Sequence, residues 1–393
     1  MSVEIKNLKK AAKRILKAVK NKEKIILYGD ADMDGVASVI ILEESIRNLG
    51  GEICAVYFPD REKEGYGLNI TALNYLKSNA PALLILLDCG ISNFEESKLA
   101  RRMGFEVIIV DHHEILDKLP EAAIIVDPKQ KGDKSPFKIL ATAGIAFKLS
   151  QELFGSTGSP QDGEKFSENL RQNFLELTAL ATISDMMPQE LDNRIFIDEG
   201  LSSLERTFRP GLQVFWEINS DGNYGGAKEI SSKIISALNV GDNKEHLTKA
   251  YLVLTSSDKE EARVLAQNLL SKSLHKQTRI KEITEGVLEK ISKQLPESIV
   301  FEGDERWEVN LLGSVASRIC HKQQKPIFIY KKGEKESIGA TRTPSGVNGV
   351  EAMKTCGEYL KTFGGHPLAA GFTVKNENLE KFKRCLIEYF ECE

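Results

Sequence analysis

The stretch K-I-I-L-Y-G-D-A-D-M-D-G at residues 24–35 joins a short apolar run directly to three alternating aspartates. The run Ile25–Tyr28 is too short for a helix and is typical of a strand buried on both faces. Asp30, Asp32 and Asp34 follow it at once. The stretch therefore predicts a strand that ends in a turn rich in carboxylates.

Four more apolar runs of strand length follow, and helical patterns separate them. The strand candidates are Ile53–Tyr57, Leu83–Leu87, Val107–Val110 and Ile124–Val126, and the helix candidates are 36–49, 69–79, 94–103, 139–154 and 165–183. Continuous apolar strands that alternate with helices are typical of a parallel sheet covered on both faces. The first part of the chain is therefore predicted to be an α/β domain built on a parallel sheet.

Acidic and imidazole side chains follow three of these predicted strands. Besides the aspartates after the first strand, Asp88 ends the run L-L-I-L-L-D, and Asp111, His112 and His113 follow V-I-I-V. The carboxyl ends of parallel strands share one edge of the sheet, where open α/β sheets bind their ligands. We expect these side chains to converge in one crevice.

Clustered carboxylates repel one another strongly unless cations compensate their charge. Aspartate and histidine without a thiolate are ligands that suit Mn²⁺ or Mg²⁺, and so many ligands favour two ions that share a carboxylate. Two ions ~3.5–4 Å apart suit hydrolysis at a phosphorus centre. Each motif alone has a plainer interpretation, because a D-x-D-x-D run is also typical of a turn or a calcium loop, and Asp88 of a helix N-cap.

Length and composition limit the classes of function. The 393 residues favour two or three domains, and 41% hydrophobic with 28% charged residues is typical of a globular protein with cores. A net charge of −4 excludes a generally basic nucleic-acid surface, and no apolar run approaches the ~20 residues of a membrane span. No C-x-x-C pair occurs, which predicts reduced thiols in a cytoplasmic protein for the six cysteines, at 54, 89, 320, 356, 385 and 392.

The pattern changes at the start and in the middle of the chain. Residues 1–24 predict a basic amphipathic helix, either docked on the surface or acting as an auxiliary phosphate-binding face. The Gly- and Asn-rich stretch 217–243 predicts a loop-bearing connection, and residues 244–294 predict a helical arm. We therefore expect a catalytic domain over 1–243, which includes the N-terminal helix, and a smaller α/β domain over 295–393.

Short motifs with a known order occupy these positions. They are D-A-D-M-D-G (30–35), Asp88, D-H-H (111–113) and S-D (184–185), with R-E-K-E-G-Y-G-L (61–68), I-V-D-P (125–128), A-G-I-A-F-K-L (143–149), L-A-T-I-S-D-M-M-P (180–188) and R-P-G-L (209–212) between and after them. The set resembles the DHH phosphoesterases, and its first motif has the form of the RecJ branch. The last part resembles the DHH-associated domain through V-A-S-R (315–318), A-T-R-T (340–343) and G-G-H-P-L-A-A-G (364–371).

The resemblance implies roles for the residues that match the family motifs at the predicted sheet edge. Six metal ligands are implied in two groups with one bridge: Asp30 and Asp32, then Asp34, His112 and Asp185, with Asp88 as the bridge. His113 would face the scissile phosphate, and Asp88 would belong to the catalytic set as well. Asp111 would support the geometry of the neighbouring histidine.

A second implied set binds the substrate. Arg61 and Arg342 resemble the family's terminal-phosphate clamp, because planar guanidinium groups bind phosphate oxygens bidentately. Gly364 and Gly365 would let backbone N–H groups approach a phosphate, and His366 would add a donor. Otherwise, each arginine is an unpaired surface residue and the glycine turn only packs against a neighbouring element.

The implied reaction is hydrolysis of single-stranded DNA by an exonuclease. The resemblance implies two Mn²⁺ ions, or Mg²⁺, release of 5′-mononucleotides and a 5′-to-3′ direction. Tyr66 would contact a base of the strand. RNA and proteins of replication or repair are further implied partners, and a membrane is not.

The resemblance also departs from the family pattern at three places. The stretch A-L-N-V-G-D-N-K at 237–244 lacks the arginines of the RecJ segment, Ala340 stands where relatives often have Ser, and the chain ends at Glu393 without the OB-fold of full-length bacterial RecJ. The departures favour short oligonucleotides or RNA. Two alternatives stay open: a nanoRNase-like or small-nucleotide phosphodiesterase, and an inactive DHH scaffold in a replication or repair complex.

Overall fold

The computed structural model describes residues 4–391, apart from 62, 116–117, 156–166, 221–225, 294 and 296. The chain divides into two compact units, Met1–Ser273 and Leu274–Glu393. Each unit has a five-stranded sheet of its own. None of the helices in the described ranges combines the length and the apolarity needed to cross a membrane.

A parallel sheet forms the centre of the first unit. Its strands are β1 Ile25–Gly29, β2 Ile53–Tyr57, β3 Ala82–Leu87, β4 Phe105–Val110 and β5 Ile124–Val126. They lie in the order β2-β1-β3-β4-β5, and every neighbouring pair is parallel. The parallel-sheet α/β fold predicted from the alternation of strands and helices is confirmed.

Helices cover both faces of this sheet. They are α1 Leu8–Lys20, α2 Met33–Asn48, α3 Ile70–Leu76, α4 Phe94–Arg102, α5 Thr142–Gly155, α6 Glu168–Ser184, α7 Leu191–Ser203, α8 Pro210–Ser220 and α9 Gly226–Leu238. Successive residues of a strand point to opposite faces, so Ile25 and Leu27 join one core and Ile26 and Tyr28 the other. Burial on both faces explains why these strands are continuously apolar.

The structure differs from the sequence prediction over 217–243, where a loop-bearing connection was expected. Much of this stretch is helical, and the part at 221–225 lies outside the described residues. In α9 the side chains of Ile230, Ile234 and Leu238 repeat at helical spacing and are buried. The apolar periodicity therefore outweighs the Gly and Ser content of the stretch.

A small hairpin and two helices occupy the predicted arm at 244–294. They are β6 Asn243–Lys244, β7 Leu247–Thr248, α10 Lys249–Thr255 and α11 Lys259–Ser292. The boundary between the two units falls inside α11, after Ser273. The domain limits at 243 and 294 stay a prediction.

The second unit is a smaller mixed α/β structure. Its elements are β8 Val300–Asp304, α12 Val309–Gln323, β9 Ile327–Lys332, β10 Glu336–Arg342, α13 Gly349–Thr355, β11 Leu360–His366, β12 Ala369–Lys375 and α14 Leu379–Glu391. The sheet order is β11-β12-β10-β9-β8, with β8 and β9 parallel and the other pairs antiparallel.

The prediction that all cysteines are reduced is wrong for one pair in the second unit. Cys356, just after α13, and Cys385, on α14, form a disulfide, and their Cα atoms are 5.9 Å apart. The two residues are 29 positions apart in sequence, so only folding brings them within the span of a disulfide. Cys54, Cys89 and Cys320 are free thiols.

Candidate metal centre

Four strands of the first sheet end level with one another. β1, β3, β4 and β5 pair so that their last residues lie side by side. The next residue after each strand is an aspartate, which gives a row of four: Asp30, Asp88, Asp111 and Asp127. The chain passes from β1 to β2 on one side and then to β3 on the other, so the topological switch point lies between Asp30 and Asp88.

The D-x-D-x-D turn folds its three aspartates toward this edge. Asp32 caps α2, because its carboxylate accepts hydrogen bonds from Asp34 N and Gly35 N at 3.1 Å each. Asp34 is buried in the first turn of the helix. A Cβ atom on Gly35 would lie 2.3 Å from the carbonyl oxygen of Asp30, so the close approach of the turn to the helix requires glycine.

The structure brings the six predicted ligand side chains together. Their donor atoms lie within 4.8 Å of one another in three overlapping groups: Asp30, Asp32 and Asp88; Asp34, His112 and Asp185; and Asp88, His112 and His113. His112 Nε2 is 3.4 Å from Asp185 Oδ2 and 3.5 Å from Asp88 Oδ1. Asp88 and His112 thus belong to two groups each, as expected of residues at the centre of a cluster.

Asp88 has a backbone conformation that is uncommon for residues other than glycine. Its φ is 62°, in the left-handed region that favours glycine. Such strain costs about 1–3 kcal/mol and persists where surrounding contacts enforce it. Thr142 Oγ1 donates to Asp88 Oδ1 at 2.9 Å, and the Tyr66 hydroxyl donates to the Asp88 carbonyl oxygen at 3.1 Å.

The first turn of α5 supports the cluster through main-chain donors. The carboxylate of Asp34 accepts hydrogen bonds from Thr142 N at 2.7 Å and from Ala143 N at 2.8 Å. Helix N-termini present free N–H groups and favour negative charge. The sequence did not predict these hydrogen bonds, because every residue except proline has a main-chain N–H group. In addition, the helix was predicted to start at 139 rather than at Thr142.

Burial changes the protonation of the cluster. It raises the pKa of Asp34 to about 8, with the charges of Asp185 and Asp32 acting in the same direction. It also raises the pKa of Asp185 to about 6 and holds that of Asp88 well above its usual value. For His112, burial lowers the pKa to about 4, so the imidazole is neutral at pH 7 and keeps a lone pair for a cation.

Arg61 lies against the first group of carboxylates. Its Nε donates to Asp30 Oδ1 at 2.8 Å, and its Nη2 binds Asp30 Oδ2 and also Asp32 Oδ2, the latter at 2.8 Å. The guanidinium group thus stands where a cation would balance these carboxylates. The ring centroid of Tyr66 lies 5.8 Å from the guanidinium carbon. Two of the six residues predicted to bind substrate, Arg61 and Tyr66, are therefore neighbours at this edge.

His113 is positioned by Asp111. The His113 Nδ1 lies 2.7 Å from Asp111 Oδ1. Burial opposes a charge on His113, but the hydrogen bond and the charge of Asp111 outweigh it and raise its pKa to about 9. The Tyr66 hydroxyl lies 3.3 Å from His113 Nδ1. His113 is thus a cation at pH 7, in contrast to the neutral His112.

Asp127 was not among the predicted site residues. Its carboxylate is buried, Oδ1 accepts a hydrogen bond from Lys129 N at 2.7 Å, and Oδ2 has no hydrogen-bond partner in the described residues. Burial raises its pKa to about 7. The motif I-V-D-P contains the signal, since Asp127 follows a strand as Asp30, Asp88 and Asp111 do.

Arg342 ends β10 in the second unit. The side chain is half-buried, and Nη1 donates to the carbonyl oxygen of Thr341 at 2.8 Å. Among the described residues no carboxylate lies within 4.0 Å of this guanidinium, and burial lowers its pKa. A Cβ atom at Gly313 on α12 would lie 3.0 Å from Nη2, so the glycine provides the space that the guanidinium occupies.

The predicted phosphate-binding glycines lie on β11 in the same unit. Among the described residues no atom lies within 4 Å of a Cβ atom built on Gly364, whereas one on Gly365 would lie 2.6 Å from the carbonyl oxygen of Ala369. Gly365 also has a φ of 136°, which side chains disfavour. His366 ends the strand, and its side chain lies outside the described residues.

The fold and its acidic sheet edge agree with the matches of this chain to two known protein domains. Residues 24–182 match the DHH family, N-terminal domain, and residues 293–391 match the DHHA1 domain. The chain therefore contains a DHH domain and a DHHA1 domain. It is homologous to the RecJ single-stranded-DNA exonucleases, and the resemblance inferred from the motifs is confirmed.

Two RecJ proteins and one solved structure give the extent of the similarity. The single-stranded-DNA-specific exonuclease RecJ of Bacillus subtilis is 35% identical over 390 residues, 98% of this chain and 48% of that protein. The Thermus thermophilus RecJ is 30% identical, over 96% of this chain and 54% of its own. The chain thus spans about half the length of these relatives. A crystal structure of exonuclease RecJ bound to manganese matches with a TM-score of 0.81 and 26% identity, over 100% of this chain and 96% of that one.

Proposed function

We propose that this protein is a divalent-metal-dependent exonuclease that hydrolyses single-stranded DNA from the 5′ end and releases 5′-mononucleotides. One observation carries the proposal. Six side chains converge at the switch point of a parallel sheet: Asp30 and Asp88 after two strands, Asp32 and Asp34 at the start of α2, and Asp185 with His112. The relatives named as single-stranded-DNA-specific exonucleases support the choice of substrate.

The donor set fits divalent cations. Several buried carboxyl groups have raised pKa values, which marks a surplus of negative charge that Arg61 balances only in part. Asp30 and Asp32 would hold one ion, Asp34, His112 and Asp185 would hold a second, and Asp88 would contribute to both. Oxygen and imidazole donors suit Mn²⁺ first and Mg²⁺ second. Bound ions of this kind lower the pKa of a water molecule and neutralise charge at the phosphorus centre.

In the proposed function, Arg61 would release the carboxylates of Asp30 and Asp32 when cations are bound and would then bind a phosphate. Its guanidinium group balances Asp30 and Asp32 until cations do so. The planar group is then free to bind two oxygens of a phosphate, which is the geometry it already makes with a carboxylate. Tyr66 keeps Arg61 near the site by its ring contact and lies half exposed, where a base can contact it.

His113 donates a hydrogen bond from its Nε2–H group to the scissile phosphate. Asp111 holds Nδ1 at 2.7 Å, which orients the ring and stabilises its charge. Burial lowers the pKa of His113, but the hydrogen bond and the charge of Asp111 outweigh this effect and raise it to about 9. The ring is therefore protonated at neutral pH, and its Nε2–H group is a charged hydrogen-bond donor. A positive group aimed at a phosphate oxygen stabilises the charge that develops during in-line attack by water.

The second unit supplies the contact to the strand terminus. Arg342 is half-buried without a carboxylate in the described residues, and such a guanidinium group gains most from binding an anion. Gly364 and Gly365 provide main-chain N–H groups without side chains in the way, and His366 would add a donor. Binding of the terminal phosphate would fix the distance between the end of the strand and the bond that is cleaved, which is the property of an exonuclease.

End-labelled substrates test the proposal. We expect Mn²⁺-dependent release of 5′-mononucleotides from a 30-nucleotide single strand with a 5′-phosphate, and little cleavage of duplex. Asp88→Asn should lower the rate of release by about 10³-fold, whereas Glu176→Gln, which changes a buried carboxyl group bonded to Thr207, should retain it. Release from the 3′ end would refute the polarity, and cleavage confined to 2–5-mers or to RNA would indicate the small-nucleotide alternative. No cleavage with either metal would indicate a scaffold.

A further inference from the structure

Four lysines form a stripe along the exposed face of α1. Lys10, Lys13, Lys17 and Lys20 are separated by three, four and three residues, which places them on one side of a helix. All four are exposed, while Ala11, Ala12 and Ile15 on the other side are buried. At 1.5 Å per residue the stripe is about 15 Å long.

Among the described residues no acidic side chain forms an ion pair with the stripe, and Glu106 interacts with Lys17 only through the longer-range effect of its charge. The helix itself contains no Asp or Glu. Of the nearby acids, Glu4 pairs with Lys9 at 2.8 Å, and both Glu23 and Glu106 pair with Arg14 at 2.6 Å. In the described ranges no carboxylate lies within 4.0 Å of the four stripe lysines, which together carry four like charges on adjacent turns.

The exposed face of α11 shows the usual alternative. There, acids and bases alternate in pairs three or four residues apart: Arg279 with Glu282, Lys281 with Glu285, and Glu289 with Lys293, which directly follows the helix. Such pairs stabilise a helix slightly, whereas like charges at these spacings destabilise it. If the exposed charges of α1 served only solubility, we would expect them to alternate in sign as those of α11 do. The stripe on α1 is unfavourable by itself and gains from an anionic ligand.

The stripe starts near the edge of the sheet that carries the candidate metal centre. Lys6 Nζ donates to the carbonyl oxygen of Lys131 at 2.9 Å, in the loop that follows β5, and Asn7 donates to the carbonyl oxygen of Ile125 at 2.8 Å. Lys129 of the same loop acts electrostatically on Asp185. The other end of α1 leads into the amino end of β1, so the helix runs antiparallel to the strands and away from the candidate centre.

We propose that Lys10, Lys13, Lys17 and Lys20 bind the sugar–phosphate backbone of the single strand outside the metal centre, which makes the enzyme hold long strands more tightly than short ones. The inference rests on the proposed nuclease function. Phosphates are recognised by charge alone, since α1 has no aromatic residue to stack on a base. An anionic membrane is the less suitable ligand, because the apolar face of α1 is buried and cannot enter a bilayer.

A charge-matched pair of variants tests the stripe. The first is K10Q/K13Q/K17Q/K20Q, and the control is K322Q/K332Q/K335Q/K381Q, which removes four exposed lysines of the second unit and changes the net charge equally. Both are made in the Asp88→Asn background, and the affinity for a 30-nucleotide single strand is measured by anisotropy between 50 and 300 mM salt. We expect the slope of log K against log salt to fall by about two to three for the stripe variant, from about 0.7 for each lost phosphate contact. The control should keep the slope.

Three further measurements separate the outcomes. K10R/K13R/K17R/K20R should restore the slope, which excludes misfolding as the cause. With Asp88 present, the stripe variant should lose at least tenfold more kcat/KM on a 30-mer than on a trinucleotide. The proposal is overturned if the slope is unchanged, or if kcat/KM falls equally on the 30-mer and the trinucleotide. It is also overturned if the four lysines are needed for binding to phosphatidylserine vesicles but not for binding to DNA. If the unmodified protein cleaves nothing, the proposed function fails, while the slope still decides the stripe.

Discussion

The first unit buries a surplus of carboxyl groups at the ends of its strands, whereas the second buries a guanidinium group without a carboxylate beside it among the described residues. Burial raises the pKa of Asp34 to about 8 in the first unit and lowers the pKa of Arg342 in the second. Burial shifts both groups toward their neutral forms, and the like charges of Asp185 and Asp32 add to the shift of Asp34, so that in each case a bound ion of opposite charge would favour the charged form. The sign of the missing charge distinguishes the ligands: cations for the first region and an anion for the second.

Replacement of Asp88 by Asn should have the largest effect. The variant removes a charge from the residue shared by two ligand groups, and we expect activity to fall by about 10³-fold, the scale for loss of one preorganised charged group at a reacting centre. Titration calorimetry should show two Mn²⁺ ions per chain before the change and fewer after it. Glu176→Gln is the matched control. Equal Mn²⁺ binding in both variants would remove Asp88 from the metal centre.

The pH dependence should be the next largest effect. Asp34, with a pKa of about 8, and Asp185, with a pKa of about 6, are both raised by burial and must lose protons before they bind a cation. The Kd for Mn²⁺ should therefore weaken about tenfold per pH unit from pH 8 to pH 6. In calorimetry, Asp34→Asn should flatten the upper half of this profile. A constant Kd over the range would contradict the raised pKa values.

As the pH falls, the stability of the metal-free protein should rise, whereas its affinity for Mn²⁺ should weaken. An unfolded Asp has a pKa near 4, so between pH 4 and 8 the folded state binds more protons than the unfolded chain. The free energy of unfolding must then rise as the pH falls through this window. Thermal unfolding in EDTA checks the sign, and saturating Mn²⁺ should reverse it.

The fold was predictable where one local rule decided it. All five strands of the first sheet were predicted within two residues of their ends, because burial on both faces makes such strands continuously apolar. The helix α9 was not predicted, because its Gly and Ser content resembles a loop until the spacing of Ile230 and Ile234 is considered. The pairing of Cys356 with Cys385 depends on tertiary proximity, which no local pattern contains.

The candidate site was predictable for side chains that follow strands and unpredictable for their supports. Asp30 and Asp88 were expected to meet because parallel strands end at one edge. The contact of Arg61 with Asp30 was not predicted, since a phosphate and a carboxylate attract the same guanidinium group. Asp127 follows the same rule as the others but ends the shortest strand of the sheet, where the signal is weakest.

Replacement of Arg342 by Gln should separate the two regions of opposite charge. We expect kcat/KM on a 5′-phosphorylated strand to fall by about 10- to 100-fold, from the loss of charge-assisted hydrogen bonds of about 1.5–3 kcal/mol. A 5′-hydroxyl strand should be affected much less. Because the change removes a half-buried charge with no carboxylate partner in the described ranges, the Tm should not fall. Arg306→Gln, at an exposed arginine paired with Asp304, is the control. Equal losses on both strands would contradict a role at the terminus.

The smallest effect should come from the residue that positions Asp88. Thr142→Val removes the hydroxyl that donates to Asp88 Oδ1 at 2.9 Å but keeps the main-chain donor to Asp34. Loss of a hydrogen bond to a metal ligand typically weakens metal binding 10- to 100-fold, and we expect about tenfold because Asp34 keeps its contacts. Thr142→Ser should restore the Kd for Mn²⁺, whereas Thr178→Val, at a buried hydroxyl on α6, should leave it unchanged. If Thr142→Val and Thr178→Val weaken binding equally, the hydroxyl serves stability alone, and Asp88 is held by its backbone rather than by its neighbour.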